Sequence, residues 1–228
     1  MFCSQNKKVL LPPRTNLINK HLSLLNKSTY LEIGVRCGAN LFQINASRKI
    51  GVDPDYFFSN RSLIRALFHR RNWFFKMYKL ESDVFFSNKG ASLFNKNGID
   101  VVFIDGMHTY RQSLKDATNS LGYLNKGGVI IFHDCNPASE IAAQPSIPSQ
   151  KINWNGDVWK TIYHFRQFPE HFECYTLNSD QGLGILKLRN NNSSDIISKI
   201  QFRHDIQDLT YEYLSRNRVS TVGLKEFP

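Results

Sequence analysis

The chain has 228 residues, 41% of them hydrophobic and 21% charged, with a formal net charge of +10. That length suits one domain with additions and buries a core unaided, and Cys3, Cys37, Cys135 and Cys174 form no C-x-x-C pair, so neither a disulfide framework nor a zinc site is expected. There is no run of 18 apolar residues, and the opening MFCSQNKKVLLPP lacks the apolar centre of a signal peptide, so a cytoplasmic location without a membrane partner is expected.

The positive charge is local. Residues 1 to 30 hold five Lys/Arg and residues 61 to 80 hold six, with no acid in either stretch. A solvated helix face accounts for such runs as well as a binding role does, and no nucleic-acid module accompanies them, so nucleic acid is not expected as a partner.

Taken in order, residues 14 to 26 place Leu17, Ile18, His21, Leu24 and Leu25 at helical spacing and predict a leading helix, so residues 1 to 28 are read as an N-terminal helical cap. Thr29 to Ile33 predicts a first strand running into Glu32-Ile33-Gly34-Val35-Arg36-Cys37-Gly38. Glycines there let the backbone turn tightly and approach a ligand, and an acid can attract a ligand's ammonium group. Lys49 to Val52 predicts a second strand, ending at Asp53. That acid lies 21 residues after Glu32, where nucleoside-binding α/β folds put a carboxylate on the ribose hydroxyls; an Asp opening a turn before Pro54 is the plainer reading. Residues 60 to 71 predict a basic amphipathic helix, and Asn72 to Leu80 a third strand rich in aromatics, with Glu81-Ser82-Asp83 at its end.

Asp100 to Pro137 predicts a β-α-β unit. The apolar runs Val101 to Ile104 and Val129 to Phe132 have the length and branching of strands buried on both faces, and they stop at Asp105 and at His133-Asp134. Between them a T-x-x-Q capping box, Thr109 and Gln112, opens a helix that Lys126-Gly127-Gly128 ends. A crossover of this length makes the strands parallel, so Asp105 and Asp134 share the carboxyl-terminal edge of the sheet, about 4.8 Å apart if the strands are neighbours. His108 stands in the loop after Asp105; His133 is read as a packed core histidine.

Cys135 to Trp154 predicts a long loop, a helix begins at Asn155-Gly156-Asp157, and Phe172 to Thr176 and Gly182 to Leu188 predict two further strands. Asn190 to Ser194 has linker composition, and residues 190 to 228 are read as a C-terminal helical appendage to a domain over 29 to 189.

Glu32-x-Gly34-x-x-x-Gly38 after a first strand resembles the first motif of class I S-adenosylmethionine-dependent methyltransferases, and the likeness extends over about residues 29 to 188. It implies a Rossmann-like α/β fold: a doubly wound sheet of about seven mostly parallel strands, the last antiparallel, with helices on both faces. It also implies S-adenosylmethionine as cofactor, contacted by Glu32, Gly34, Gly38, Asp53, Ser82, Asp83 and Asp105. The phrases GDVWK and QGLGIL are similar to those of small bacterial class I methyltransferases related to glycan and antibiotic tailoring enzymes, and within that group D-G-x-H at 105 to 108 with H-D at 133 to 134 is similar to the metal-dependent O-methyltransferases of the catechol and macrocin types. That likeness implies a divalent metal such as Mg²⁺ on Asp105 and Asp134, and catalysis by Asp105 with His108 as general base. In the catechol type an asparagine directly follows the second acid; here Cys135 does, and Asn136 comes one position later. The expected acceptor is a small hydroxylated molecule such as a sugar, with a homo-oligomer left open. The alternatives are a metal-independent methyltransferase on an O or N acceptor and, from a different class, a basic nucleic-acid-binding protein on a degenerate cofactor fold.

Overall fold

The computed structural model describes residues 11–189 and 196–227. Eight strands form one sheet in the order β3-β2-β1-β4-β5-β7-β6-β8. They are β1 (Thr29–Ile33), β2 (Arg48–Val52), β3 (Lys76–Tyr78), β4 (Ile99–Ile104), β5 (Leu124–Phe132), β6 (Phe172–Asn178), β7 (Leu183–Leu188) and β8 (Leu224–Glu226). Only β7 runs against the rest: it is antiparallel to β5 and β6, and β8 lies parallel to β6. The expected doubly wound, mostly parallel sheet is therefore present, with one strand more than expected.

Strand alternation divides the core. Leu31, Ile33, Val102, Ile104, Ile130 and Phe132 face one layer of helices, α3 (Ser82–Phe85), α4 (Ala91–Phe94), α5 (Tyr110–Leu121) and α6 (Trp159–Phe165). Tyr30, Val101, Phe103, Val129 and Ile131 face the other side, where α1 (Pro13–Leu22) inserts Leu17, Ile18 and Leu22. Central strands buried on both faces explain why the sequence shows unbroken apolar runs there.

Several expected boundaries move. The third strand is only three residues long, because Arg70–Asn72 forms a 3₁₀ turn and Trp73 and Phe74 stay outside the sheet, largely exposed. The amphipathic helix α2 spans Asn60–Leu67. Lys126-Gly127-Gly128 does not end α5, which closes at Leu121. It loops out of β5, where the pairing with β4 jumps from Leu124 to Val129 and Gly127 takes φ +78°. The capping box is half formed: Thr109 Oγ1 accepts from the Gln112 amide, but the Gln112 side chain turns to Ser82 and Asp116. Helix α6 begins at Trp159, later than Asn155-Gly156-Asp157, because Asp157 instead accepts from the Tyr110 amide and caps α5 from outside.

The C-terminal stretch carries α7 (His204–Gln207), α8 (Tyr211–Arg216) and α9 (Arg218–Val222), and then returns to the sheet as β8, so it is not purely helical. Buried Ile206, Leu214 and Val222 join the main core. The linker-like Asn190 to Ser194 and the first ten residues lie outside the described residues. Among the described residues no helix is long and apolar enough to cross a membrane.

Candidate active site

Between β1 and β4 the order of strands reverses, and the carboxyl ends of such a sheet flank a crevice there. Gly34 makes the crevice narrow. Its φ is +87°, and a Cβ on it would lie 2.0 Å from the main-chain oxygen of Asp105. The amide of Gly34 donates to Val52 and that of Asp105 to Ile33, which clamps the ends of β2, β1 and β4 together.

The residues expected to meet a cofactor line this end. Asp53 follows β2, and its carboxylate accepts from the amides of Val35 (2.9 Å), Arg36 (2.7 Å) and Asp55 (2.7 Å). It therefore shapes the Gly34 to Gly38 loop and closes its own turn. Gly38 donates its amide to Val35, ending that loop. Glu32 is buried in β1; Tyr30 (2.6 Å) and Asn40 (3.0 Å) both donate to its Oε2. Burial, with the nearby negative charge of Asp105 adding to it, outweighs those bonds and pushes the Glu32 carboxyl up to about 8. Ser82 and Asp83 lie after β3 and are held by α5. Ser82 Oγ donates to Asp116 at 2.6 Å and Lys115 pairs with Asp83. Burial raises Asp116 to about 6.

Around Asp105 the structure assembles more than the sequence suggests. Asp105, His108 and Asp134 can each bring a ligand atom within 4.8 Å of the others. His108 Nδ1 donates to the carbonyl of Trp154 at 3.0 Å, and the indole stacks on the imidazole with ring centres 4.8 Å apart. Nε2 then faces Asp134 Oδ2 (3.3 Å) and Asp105 Oδ1 (3.6 Å). Desolvation alone would lower the His108 pKa, but its carboxylate neighbours prevail and raise it.

His133 is buried as expected, yet it is not an inert packing residue. Nδ1 donates to Asp134 Oδ2 at 2.8 Å and lies 3.4 Å from Asp105 Oδ1, while Nε2 lies 3.4 Å from Asp180 Oδ1. Burial works against its charge, but hydrogen bonds to three carboxylates win and lift it to about 11, so His133 is an imidazolium at neutral pH. Burial opposes the charge on Asp105 and Asp180, but the bonds of His108 and then His133 to Asp105, and of His133 and then Arg14 to Asp180, hold both well below the usual carboxylate range. Arg14 of α1 completes the network: Nε and Nη2 grip Asp180 at 2.7 and 2.8 Å, and Nη1 reaches Asp105 Oδ2 at 3.3 Å.

Asp134 adopts φ +64°, a left-handed conformation that disfavours a non-glycine residue, and it is held there by His133 and by Asn155 Nδ2, which donates to Oδ1 at 2.9 Å. Asn136 turns away to Asn178 and Arg218, so Asn155, twenty-one residues beyond Asp134, supplies the amide beside it. Gly156 lets this loop close, since a Cβ there would fall 1.7 Å from the His108 oxygen.

Arg14, Trp154, Asn155 and Asp180 were not singled out from the sequence. The phrases GDVWK and QGLGIL directly follow Asn155 and Asp180 and so pointed near two of them, and Asn155 was read only as the start of a helix.

The two carboxylates facing one space form an oxygen donor set that fits a divalent cation, and His108 Nε2 beside them is close enough either to join it or to take a proton from a neighbouring group. His133 and Arg14 already place positive charge on the same oxygens.

Residues 31–135 match the family model described as a methyltransferase domain. Uncharacterized protein R132 of Acanthamoeba polyphaga mimivirus is 25% identical over 182 residues, which cover 75% of this chain and 79% of that protein. Among solved structures, the O-methyltransferase TomG of Streptomyces achromogenes, involved in tomaymycin synthesis and bound to SAM, superposes with a TM-score of 0.57. It is 12% identical and covers 79% of this chain and 82% of its own. An O-methyltransferase of Bacillus cereus in complex with SAH gives 0.53 at 14% identity, with 79% and 82% covered. At these identities the two structures establish the fold.

Proposed function

We propose that this chain, which has the fold of the O-methyltransferase structures and matches a methyltransferase domain over residues 31–135, is a class I S-adenosylmethionine-dependent O-methyltransferase acting on a small hydroxylated acceptor such as a sugar. The observation that carries the reading is the position of His108: its Nδ1 is committed to Trp154, so Nε2 is directed at the space bordered by Asp105 and Asp134, beside the Gly34 crevice.

In this reading Glu32 receives the ammonium group of the methyl donor, the Gly34 to Gly38 loop admits its amino-acid part, and Asp53 takes the ribose hydroxyls while it shapes that loop. Ser82 and Asp83 border the adenine. The acceptor hydroxyl lies against His108 Nε2, which removes its proton as the oxygen attacks the sulfonium methyl; the methyl leaves sulfur with the bonding pair remaining there. Asp105 and Asp134 would hold a divalent metal, Mg²⁺ by their oxygen donors, which when bound lowers the acceptor's pKa and orients it. Asn155 and His133 keep Asp134 aimed, and Trp154 excludes water from one side of His108.

A metal-independent mechanism is the second reading, and one observation favours it: His133 and Arg14 already supply cationic hydrogen-bond donors to Asp105 and its neighbours. Calorimetric titration with S-adenosylmethionine tests the cofactor, and turnover of a panel of hydroxylated acceptors tests the reaction. Failure to bind the cofactor would overturn both readings.

A further inference from the structure

Helix α2 buries almost nothing. Ala66 is its one buried residue, while Ile64, Leu67 and the following Phe68 are 59%, 55% and 82% exposed. Their i, i+3, i+4 spacing makes one apolar stripe, and Arg61 and Arg65 flank it on the next face of the helix. Trp73 extends the stripe: its Nε1 donates to the carbonyl of Leu67 at 2.8 Å, which seats the indole at the helix end, and Arg70 lies 5.6 Å from the ring centre. Phe74 follows, also exposed.

Scattered exposed apolar side chains need no explanation, but a contiguous group this large marks an interaction surface. The charge around it selects the partner. Arg61, Arg65, Arg70 and Arg71 are all exposed within the same 61–74 segment, and no acid occurs between 61 and 80. A self-complementary dimer through this face would set these cations against their own copies. A nucleic acid would match the charge and find Phe68, Trp73 and Phe74 to stack on, but it would leave the aliphatic Ile64 and Leu67, in the middle of the stripe, uncovered. An apolar stripe ending in Trp and Phe and edged by arginines matches the requirements of an anionic lipid surface, where the apolar groups enter the headgroup boundary and the guanidinium groups meet lipid phosphates and carboxylates.

We infer that α2 with the 68–74 turn is a peripheral attachment surface by which the chain docks on anionic lipid bilayers. The expectation of no membrane partner rested on the lack of a membrane span, and a helix lying on a bilayer needs none. The basic stretch fitted a solvated face as well as a binding role; the short β3, which leaves Trp73 and Phe74 outside the sheet, tips it towards binding.

The test is cosedimentation of the full chain with phosphatidylcholine vesicles carrying about one third phosphatidylserine. Binding to these vesicles but only weakly to pure phosphatidylcholine, with release as salt rises, is the expected result. Brominated lipid should quench Trp73 fluorescence, and Trp73→Phe should remove that quenching while binding persists. Leu67→Ser with Phe68→Ser should abolish most binding. Arg65→Glu with Arg71→Glu should weaken it by more than about tenfold, since each cation contributes about fivefold. Unchanged thermal melts would show that these exposed substitutions leave the fold intact. The inference is overturned if the wild type does not cosediment, if the double serine variant binds undiminished, if the chain binds RNA but not vesicles, or if it is a dimer that Leu67→Ser with Phe68→Ser dissociates.

Discussion

His108 Nδ1 donates to the main-chain oxygen of Trp154, 3.0 Å away, and the indole of the same residue lies over the imidazole. The first contact keeps a proton on Nδ1, because a carbonyl only accepts, so the proton whose pKa the two carboxylates raise is the one exchanged at Nε2. The second fixes the ring plane. A base is useful only with its lone pair on the acceptor, so the two contacts should fail separately.

Replacing His108 by Ala should lower kcat by about 10²- to 10⁴-fold, the usual contribution of a positioned general base, with cofactor affinity unchanged. Trp154→Ala keeps the carbonyl but loses the stack, so its loss should be smaller, about tenfold for a ring that is less well aimed. Steady-state rates and calorimetry with S-adenosylhomocysteine separate these effects. An unaffected His108→Ala would remove the histidine from the mechanism.

Metal dependence is decided at Asp105 and Asp134. If the pair holds a divalent ion, excess EDTA should abolish turnover and added Mg²⁺ restore it. Asp105→Asn or Asp134→Asn should make the residual rate insensitive to chelator, with the cofactor still bound. Full activity in EDTA would leave the mechanism to His108, supported by the charges of His133 and Arg14.

Much of this was readable in advance because it is set by local chemistry. The buried runs at 101–104 and 129–132 can only be central strands, and each stops at the acid that the structure places at the crevice. Gly34 was read as letting the backbone turn and approach a ligand; the close approach in the structure is to the Asp105 main chain, where no side chain fits. Arg14 and Asp180 were invisible for the opposite reason: 166 residues separate them, and nothing local in either stretch encodes the pairing. His133 misled because a histidine next to a strand's apolar end looks like core until the carboxylates from β4 and from the β6–β7 turn are seen around it. The third strand was overextended because aromatic residues favour strands, and Trp73 instead bonds back to the helix before it.

Glu32 gives a prediction in pH. Burial raises its carboxyl to about 8, so the free protein holds it protonated at neutral pH, and stability from this group is full below the ordinary carboxyl pKa and lost as pH rises through 8. A ligand ammonium placed beside it favours the charged form. Binding of S-adenosylmethionine near pH 7 should therefore release up to about one proton, and affinity should climb with pH and level off above about 8. Calorimetry in buffers of different ionisation enthalpy reads the proton directly. Glu32→Gln should bind more weakly with no proton released; an unchanged release would place the titrating group elsewhere.

Arg14 and Asp180 should act as a coupled pair that ties α1 to the β6–β7 turn. The guanidinium grips both carboxylate oxygens at 2.7 and 2.8 Å, and neither side chain is more than a quarter exposed, so solvent screens the pair only in part. Arg14→Ala should destabilise the protein by about 1 to 2 kcal/mol, less than for a fully buried pair, since Leu17, Ile18 and Leu22 still dock the helix and His133 still bonds Asp180. Asp180→Asn should lose a similar amount, and it should also lower the His133 pKa by removing one of its three carboxylates. The double variant should lose little more than either single one, giving a coupling energy of about 1 kcal/mol in urea unfolding at neutral pH. Additive losses would show that Arg14 stabilises α1 through its contact with Asp105 or through packing, and that Asp180 answers to His133 alone.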